Sequence, residues 1–421
     1  ARYPEGTLLD AVREALRERP DAPAFLFKGR KVSWRELDEA SNAFAIALVG
    51  MGVKRGDRVA CLLPNCPQFF IGEFAAWKLG AVYVPLNPIY NEEELTAPLL
   101  NTEPTVILTL SAFYERVKLV QRRVPSLQQV VVTNIKEWFP PVLAAVFTLL
   151  VEKKAGHRAH VREEDPWLPK LLGKYRGQVP ASPPPGPNED ALLLLLSGGT
   201  TGTPKAVRVH HGGLVQTGTQ VNAWLSRVLP KWEGVYCLPL PMFHSYGACG
   251  VQSVCFLGHN PIALVPNPRD FNDLVKTIET TKPDVFCGVP TLYNALLNHP
   301  RVIARKAKFN SMKACVSGAA PMMLETMKRW EEVTGAKIIE GYALTESVLA
   351  ATVSPLGGAQ KPGSVGTPLP DVIMRIVDAD DPTKEMPLGE VGEVLIHGPQ
   401  IMRGYWRNDA ETKEMLRVGA D

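Results

Sequence analysis

Residues 196–207, LSGGTTGTPKAV, concentrate three glycines, three threonines and a lysine behind a run of leucines. Gly198, Gly199 and Gly202 let backbone N–H groups come close to an anion. Ser197, Thr200 and Thr201 add hydroxyls, with Thr200 able to ligate a metal, and Lys205 adds a point charge, so the chemistry on offer is phosphate binding. The P-loop of kinases and ATPases requires Gly-Lys-Ser/Thr; Pro204 before the lysine and Ala206 after it exclude that motif. The plainer alternative is a turn with no ligand. Three later stretches carry further reactive types: PMFHSYG with His244, SGAAP with Gly318, Ala319 and Ala320, and EGYALTE with Glu340, Gly341, Tyr342, Ala343, Thr345 and Glu346. Taken singly, each such His, Tyr or Glu is more often an ordinary core or surface residue.

The elements that must hold these residues read as alternating strands and helices. Residues 192–196 form an all-leucine strand, central and buried on both faces, that feeds the glycine-rich loop. Earlier, Ser33-Trp34-Arg35-Glu36 is a capping box. It opens a helix to about Met51 with Leu37, Ala40, Phe44, Ala47 and Leu48 on one face, and Gly52 ends it. RGDRVACLLP then supplies a turn and a buried strand, a second helix near Gln68 to Lys78 stops at Gly80, and AVYVPLNP is another strand. The connector PASPPPGPNED separates this half from the next, where loop, helix, strand and helix follow over residues 265–297 and MKACVSGAAP is again a buried strand. From about Pro355 short strands and turns take over. The expected fold is α/β: two stacked α/β subdomains with mostly parallel sheets (1–190 and 191–354) and a small β-rich subdomain (355–421).

The chain has 421 residues, enough for two or three units, and its 45% hydrophobic and 21% charged content is that of a globular protein. A net charge of +3 gives no basic footprint for nucleic acid. Cys61, Cys66, Cys237, Cys249, Cys255, Cys287 and Cys315 are scattered singly, without metal spacing, as suits a reducing compartment. The first twenty residues lack an apolar signal region, so a cytoplasmic protein is expected. Residues 138–151, WFPPVLAAVFTLLV, are uncharged but short of the about 20 residues that span a bilayer. Two readings stand for them: a buried core helix, or an interfacial segment with Lys153, Lys154 and Arg158 near lipid headgroups.

SGGTTGTPK resembles the phosphate-binding signature of the adenylate-forming superfamily of acyl-CoA synthetases, luciferases and peptide-synthetase adenylation domains. Its Gly198, where Ser is commoner, is similar to the form in bacterial long-chain fatty-acyl-CoA ligases. GVKRGDRVACLLPN, AAWKLGAVYVPLNPIY, LPLPMFHSYG, SGAAP, EGYALTE and GEVGEVLIHGPQIMRGYW resemble further family segments in the family's order. The resemblance implies that a carboxylate attacks the α-phosphorus of ATP with Mg²⁺, and that a thiol, usually of coenzyme A, then displaces AMP. It assigns Thr200, Thr201, Gly202 and Lys205 to the β- and γ-phosphates, Glu346 with Thr200 to Mg²⁺, and Thr345 to the α-phosphate. Tyr342 would stack on adenine framed by Gly318, Ala319 and Ala320, and Ala343 stands where the family usually has Gly. His244 would sit beside the reacting carboxylate or gate its pocket; it need not take a proton, since the acid is already ionised.

Residues 239–250 hold no Asp or Glu to pair with a substrate amine, which weighs against amino acids. Tyr246, Val251, Phe256, Val289 and Leu292 offer an apolar pocket, with room left by Gly247, Ala248 and Gly250. The expected substrate is a medium- to long-chain fatty acid, aryl acids being the alternative. Rival readings are an acyl-adenylate former serving a carrier protein, and a non-catalytic lipid- or nucleotide-binding protein. The sequence ends at RVGAD, before the family's Thr-Gly-Asp motif and catalytic lysine, and so is expected to be the large N-terminal domain. Monomer and homodimer both remain open.

Overall fold

The computed structural model describes residues 3–181, 185–186, 191–197, 204–226 and 229–417. Most of the proline-rich connector and the loop residues Gly198, Gly199, Thr200, Thr201 and Gly202 therefore lie outside the described residues. The capping box closes as expected: Ser33 Oγ accepts from the Glu36 N–H at 3.1 Å, and Glu36 Oε2 accepts from the Ser33 N–H at 2.9 Å. The helix it opens, Trp34–Gly50, buries Leu37, Ala40, Phe44, Ala47 and Leu48. Gly52 follows at φ 86°, a conformation that costs a residue with a Cβ.

Along the chain the strands are β1 (Pro23–Phe27), β2 (Arg30–Ser33), β3 (Arg58–Leu62), β4 (Val82–Pro85), β5 (Val106–Leu110), β6 (Gln129–Thr133), β7 (Leu193–Ser197), β8 (Lys205–Val209) and β9 (Tyr236–Leu238). They continue with β10 (Ile262–Leu264), β11 (Val285–Gly288), β12 (Ala314–Ser317), β13 (Ile338–Leu344), β14 (Leu349–Val353), β15 (Thr367–Pro368), β16 (Ile373–Val377) and β17 (Glu393–His397). One sheet has six strands in the order β6-β5-β3-β4-β7-β8, parallel except for the β7/β8 hairpin. A second has nine, β15-β14-β13-β12-β11-β9-β10-β1-β2, parallel from β13 to β1 and antiparallel at both ends. β16 and β17 form a small antiparallel pair near the C-terminal end of the chain. The mixed α/β architecture with a small β unit is thus the expected one.

Two strand exchanges cross the division drawn at residue 190. β1 and β2 join the nine-stranded sheet, whereas β7 and β8 join the six-stranded one. The leucine strand β7 is buried on both faces, with Leu193 and Leu195 on one core and Leu194 on another, but it is next to the edge rather than central. Its hydrophobicity reports burial, which the hairpin partner β8 allows without a central position.

Both large sheets and the helices Trp34–Gly50, Pro67–Lys78, His211–Leu225 and Gln252–Gly258 contribute to one apolar core. Its aromatic centre draws on distant segments: Phe25 and Phe70 lie 4.4 Å apart, and Phe256 is 5.1 Å from both Phe74 and Trp34. The seven cysteines are all buried and unpaired, and act as small hydrophobes.

Residues 138–151 do not form the buried helix that was one expectation. Trp138 and Phe139 are buried, but neither the helix Pro141–Val146 nor the wider turn Phe147–Val151 buries a residue. Val142 and Leu149 are each 78% exposed and Leu150 is 68% exposed. Polar contacts hold this segment down from beneath: Lys136 Nζ donates to Thr148 Oγ1 at 2.9 Å and pairs with buried Glu152 at 2.6 Å. Among the described residues no helix is long and apolar enough to cross a membrane.

A fully buried carboxyl, Glu73, joins the helices Pro67–Lys78 and Gln252–Gly258: Gln252 Nε2 donates to its Oε2 at 2.6 Å. Burial holds its pKa well above the usual carboxylate value of 4.5, so the fold takes it up neutral. Because the folded value is the raised one, this group's contribution to stability is complete below pH 4.5 and is lost as pH rises towards the folded value. Glu73→Gln removes that dependence. Thermal melts are expected to show the variant gaining on the wild type between pH 4.5 and pH 8, by roughly 2–4 °C or more; a constant difference would mean Glu73 is charged in the fold.

Candidate active site

Side chains alternate across the nine-stranded sheet, and register decides which of them meet. Tyr236 faces Val285, and Cys287 faces Val316, which faces Ile339, so these five residues share one face. They floor a cavity of about 480 Å³ roofed by Val221, Trp224 and Leu225 of the helix His211–Leu225 and by Gly250, Val251 and Val254. Spacing of three and four residues puts the first trio on one helix face. At the carboxyl ends of the strands the lining turns polar, with Lys205, His244, Ser245, Thr345, Glu346 and Tyr405. Open parallel sheets present ligand sites at that end.

β7 and β8 hold the two ends of the glycine-rich loop together, Ser197 being the register partner of Lys205. Lys205 Nζ forms an ion pair with Glu411 of the helix Asp409–Met415 and lies 5.4 Å from the ring centre of Tyr405. Tyr405 Oη in turn donates to Glu346 Oε1 at 2.8 Å, and the Met402 N–H donates to the Glu346 carbonyl at 2.9 Å. Both charged groups aimed at the cavity mouth are thereby occupied by residues from the C-terminal part of the chain.

His244 stands at the mouth with its ring edge open to solvent, while the protein packed around it disfavours the imidazolium and lowers its pKa. Its Nδ1 accepts from the Tyr246 N–H at 3.3 Å. Tyr246 Oη donates to the Val316 carbonyl at 3.1 Å, which lays the ring along the wall. A Cβ on Gly318 would come within 3.3 Å of that ring, so glycine keeps the loop after β12 close to it. Ser245 Oγ and Thr345 Oγ1 are 3.4 Å apart and link the histidine stretch to the turn after β13.

Of the residues singled out from sequence, Ser197, Lys205, His244, Tyr246, Gly318, Ala319, Gly341, Ala343, Thr345 and Glu346 line this one cavity, and Gly250 and Val251 line it too. Others do not. Val289 and Leu292 pack into the core around the helix Pro290–Leu297, Phe256 belongs to the aromatic centre, and Gly247 and Ala248 are buried in the wide helical turn Tyr246–Val251. Their apolar character was read correctly, but the pleat and helix phase turn them from the cavity. Glu340 is buried and its Oε1 accepts from the Met322 N–H at 2.9 Å, tying down the loop that holds Ala320. Tyr342 packs on the cluster of Ile339, Ala351 and Val353. Tyr236, Trp224, Tyr405 and Glu411 escaped the sequence reading. The spacing of Val221, Trp224 and Leu225 was a usable signal; nothing local marks Glu411, more than two hundred residues from Lys205.

Among the described residues no group of three or more His, Cys, Asp or Glu side chains could cage a metal. Glu346 offers a single carboxylate, which fits an ion such as Mg²⁺ that takes most of its ligands from water and phosphate.

A family profile described as "AMP-binding enzyme" matches residues 12–406. The chain is 31% identical over 418 residues to a long-chain-fatty-acid–CoA ligase of Bacillus subtilis, covering 99% of this chain and 73% of that protein. Among solved structures it superposes on an anthranilate CoA ligase in complex with anthranoyl-AMP with a TM-score of 0.84 at 22% identity, over 98% of this chain and 73% of that one. A long-chain-fatty-acid–CoA ligase of Archaeoglobus fulgidus gives a TM-score of 0.82 at 22% identity, over 98% and 79% of the two chains.

The Glu411 carboxylate is an anion already seated on Lys205, so any other anion drawn to that lysine competes with it. Glu411→Gln is therefore expected to tighten ATP binding by up to about fivefold, the scale of a partly exposed ion pair. Isothermal titration against wild type checks it, and weaker binding in the variant would mean that Glu411 orients the lysine instead.

Proposed function

The chain belongs to the AMP-binding enzyme family, and on that footing we propose that it is an AMP-forming acid–thiol ligase that joins a medium- to long-chain fatty acid to coenzyme A. One observation carries the choice of acid: the cavity behind His244 is walled by aliphatic and aromatic side chains, and Glu346, among the described residues the one carboxylate lining it, stands at the mouth and not in the depth. A substrate ammonium buried there would lack a counter-charge. The polar mouth suits the carboxylate and the nucleotide.

In the first step a carboxylate oxygen forms a bond to the α-phosphorus of ATP and the bond to pyrophosphate breaks, giving acyl-adenylate. In the second, the sulfur of coenzyme A bonds to the acyl carbon as its thiol proton passes to solvent, and AMP leaves with the bonding pair. Little covalent work falls to the protein, so fixed donors and position matter most. On this reading the β- and γ-phosphates fall to Lys205, released by Glu411, and to Thr200, Thr201 and Gly202 of the glycine-rich motif. Thr345 approaches the α-phosphate, and Tyr342 stacks on the adenine framed by Gly318, Ala319 and Ala320, in the stretch 340–346 that also carries Glu340, Gly341 and Ala343. Magnesium, when bound, neutralises phosphate charge, and Glu346 with Thr200 are the residues to hold it. His244, whose imidazolium is disfavoured by the protein packed around it, is the residue placed beside the acyl carboxylate, which has no proton to give up.

The same reading accounts for the apolar segment. Val142, Leu149 and Leu150 point outward next to exposed Lys153, Lys154 and Arg158, a pairing that suits a peripheral seat on an anionic membrane surface on the cytoplasmic side. Fatty acids partition there, so the seat would bring enzyme and substrate together.

The first test is ATP–pyrophosphate exchange by the full-length protein with Mg²⁺ and fatty acids of graded length. Exchange is expected to rise with chain length and to fall by about 10²–10³ in Lys205→Ala and Glu346→Ala, the usual scale for removing one fixed charge-stabilising donor. Exchange with aryl acids alone would replace the fatty-acid reading, and ATP binding without exchange would replace the enzyme reading. For the membrane seat, a double Leu149→Asp, Leu150→Asp variant is expected to lose at least tenfold in sedimentation with vesicles rich in anionic phospholipid. Unchanged sedimentation, or a concentration-dependent dimer that the variant abolishes, would sink that assignment.

A further inference from the structure

The cavity floor carries a hydroxyl that the reaction does not use. Tyr236 opens β9, is 2% exposed, lines the cavity, and its Oη has no hydrogen-bond partner among the described residues. A buried hydroxyl without a partner is uncommon enough to require a reason. Ser317 Oγ is likewise buried and unpaired in the same cavity, but it sits beside Gly318 at the mouth, where the reacting groups gather. Tyr236 is level with Val285 and Ala314, three residues before Ser317 along the strands, and so lies about 10 Å deeper at a rise of 3.3 Å per residue.

The surroundings say what would satisfy it. Nearby Asp284 is already engaged, its Oδ2 accepting from the Val235 N–H at 2.9 Å and its Oδ1 paired with Lys313 at 2.9 Å. Val285, Cys287, Leu225 and Val254 give the deep end apolar walls, and the basic side chains that line the cavity among the described residues, Lys205 and His244, are at the mouth. A second carboxylate at that depth would be buried without a cation. A plain methyl end would leave the hydroxyl unpaired. Burial drives the Tyr236 pKa well up, so the group stays a protonated donor that can also accept.

We propose that the deep end of the acyl cavity is a polar subsite in which Tyr236 Oη hydrogen-bonds a neutral oxygen, a hydroxyl or carbonyl, at the far end of the substrate's chain. The proposal rests on the fatty-acyl reading above and narrows it to acids oxygenated away from the carboxyl group.

The test compares two series of saturated acids, one ending in methyl and one in a terminal hydroxyl, by kcat/KM for pyrophosphate exchange. In wild type the hydroxyl-ended acid is expected to be disfavoured at lengths that leave its oxygen among aliphatic walls. At the length that reaches Tyr236 it is expected to be favoured by about tenfold. Tyr236→Phe, which deletes the hydroxyl and keeps the ring, is expected to bring that ratio below one. Methyl-ended acids preferred at every length in wild type would overturn the proposal without any variant, and so would a preference that survives Tyr236→Phe. No exchange with either series would instead count against the fatty-acyl reading.

Discussion

Alternation of side chains across the nine-stranded sheet is the constraint from which the site follows. In β9, β11 and β12 every second residue turns to one face: Cys237, Phe286 and Cys315 enter an outer core with Trp330, while Tyr236, Val285, Cys287 and Val316 turn inward. Parallel strands buried on both faces need apolar residues on each. A space left on the inner face is therefore apolar by construction, and polar chemistry is pushed to the carboxyl ends, where the backbone leaves the sheet. His244 and Gly318 stand past such ends, and Thr345 and Glu346 open the turn after β13.

At that edge the protein meets charges that it cannot leave uncompensated. Lys205 and Glu346 are aimed at a partly enclosed space, and each has found a partner from the C-terminal segment, Glu411 and Tyr405 respectively. Such contacts are modest in energy because the groups remain partly exposed. They are strong enough to orient both side chains and weak enough to be exchanged for other partners. Through Glu411 the helix Asp409–Met415 packs against the mouth, and its Met415 joins the lining.

The outward apolar segment obeys the same rule in reverse. Phe147 packs 5.5 Å from both Phe139 and His157, and Lys136, Thr148 and Glu152 lock the underside with hydrogen bonds and an ion pair. With its polar groups spent beneath it, the helix shows water only Val142, Leu149, Leu150 and their neighbours. These apolar side chains stand exposed beside the exposed basic residues Lys153, Lys154 and Arg158.

The sequence alone determined what rests on local rules. The Ser33/Glu36 capping box, the turn at Gly52, the alternating strands and helices, and the stretches around Lys205, His244, Gly318 and Glu346 were all legible, because turn chemistry, periodicity and motif spacing act over a few residues. Tertiary structure alone decided which apolar residues face the cavity. Val289, Leu292 and Phe256 are as hydrophobic as Val285, Cys287 and Trp224, and differ only in pleat and helix phase. It also decided the strand exchange between the two sheets, the pairing of Lys205 with Glu411 and the exposure of Leu149. Each of these joins residues far apart in the chain or depends on what a neighbouring layer leaves uncovered, and no local pattern encodes the packing of one layer on another.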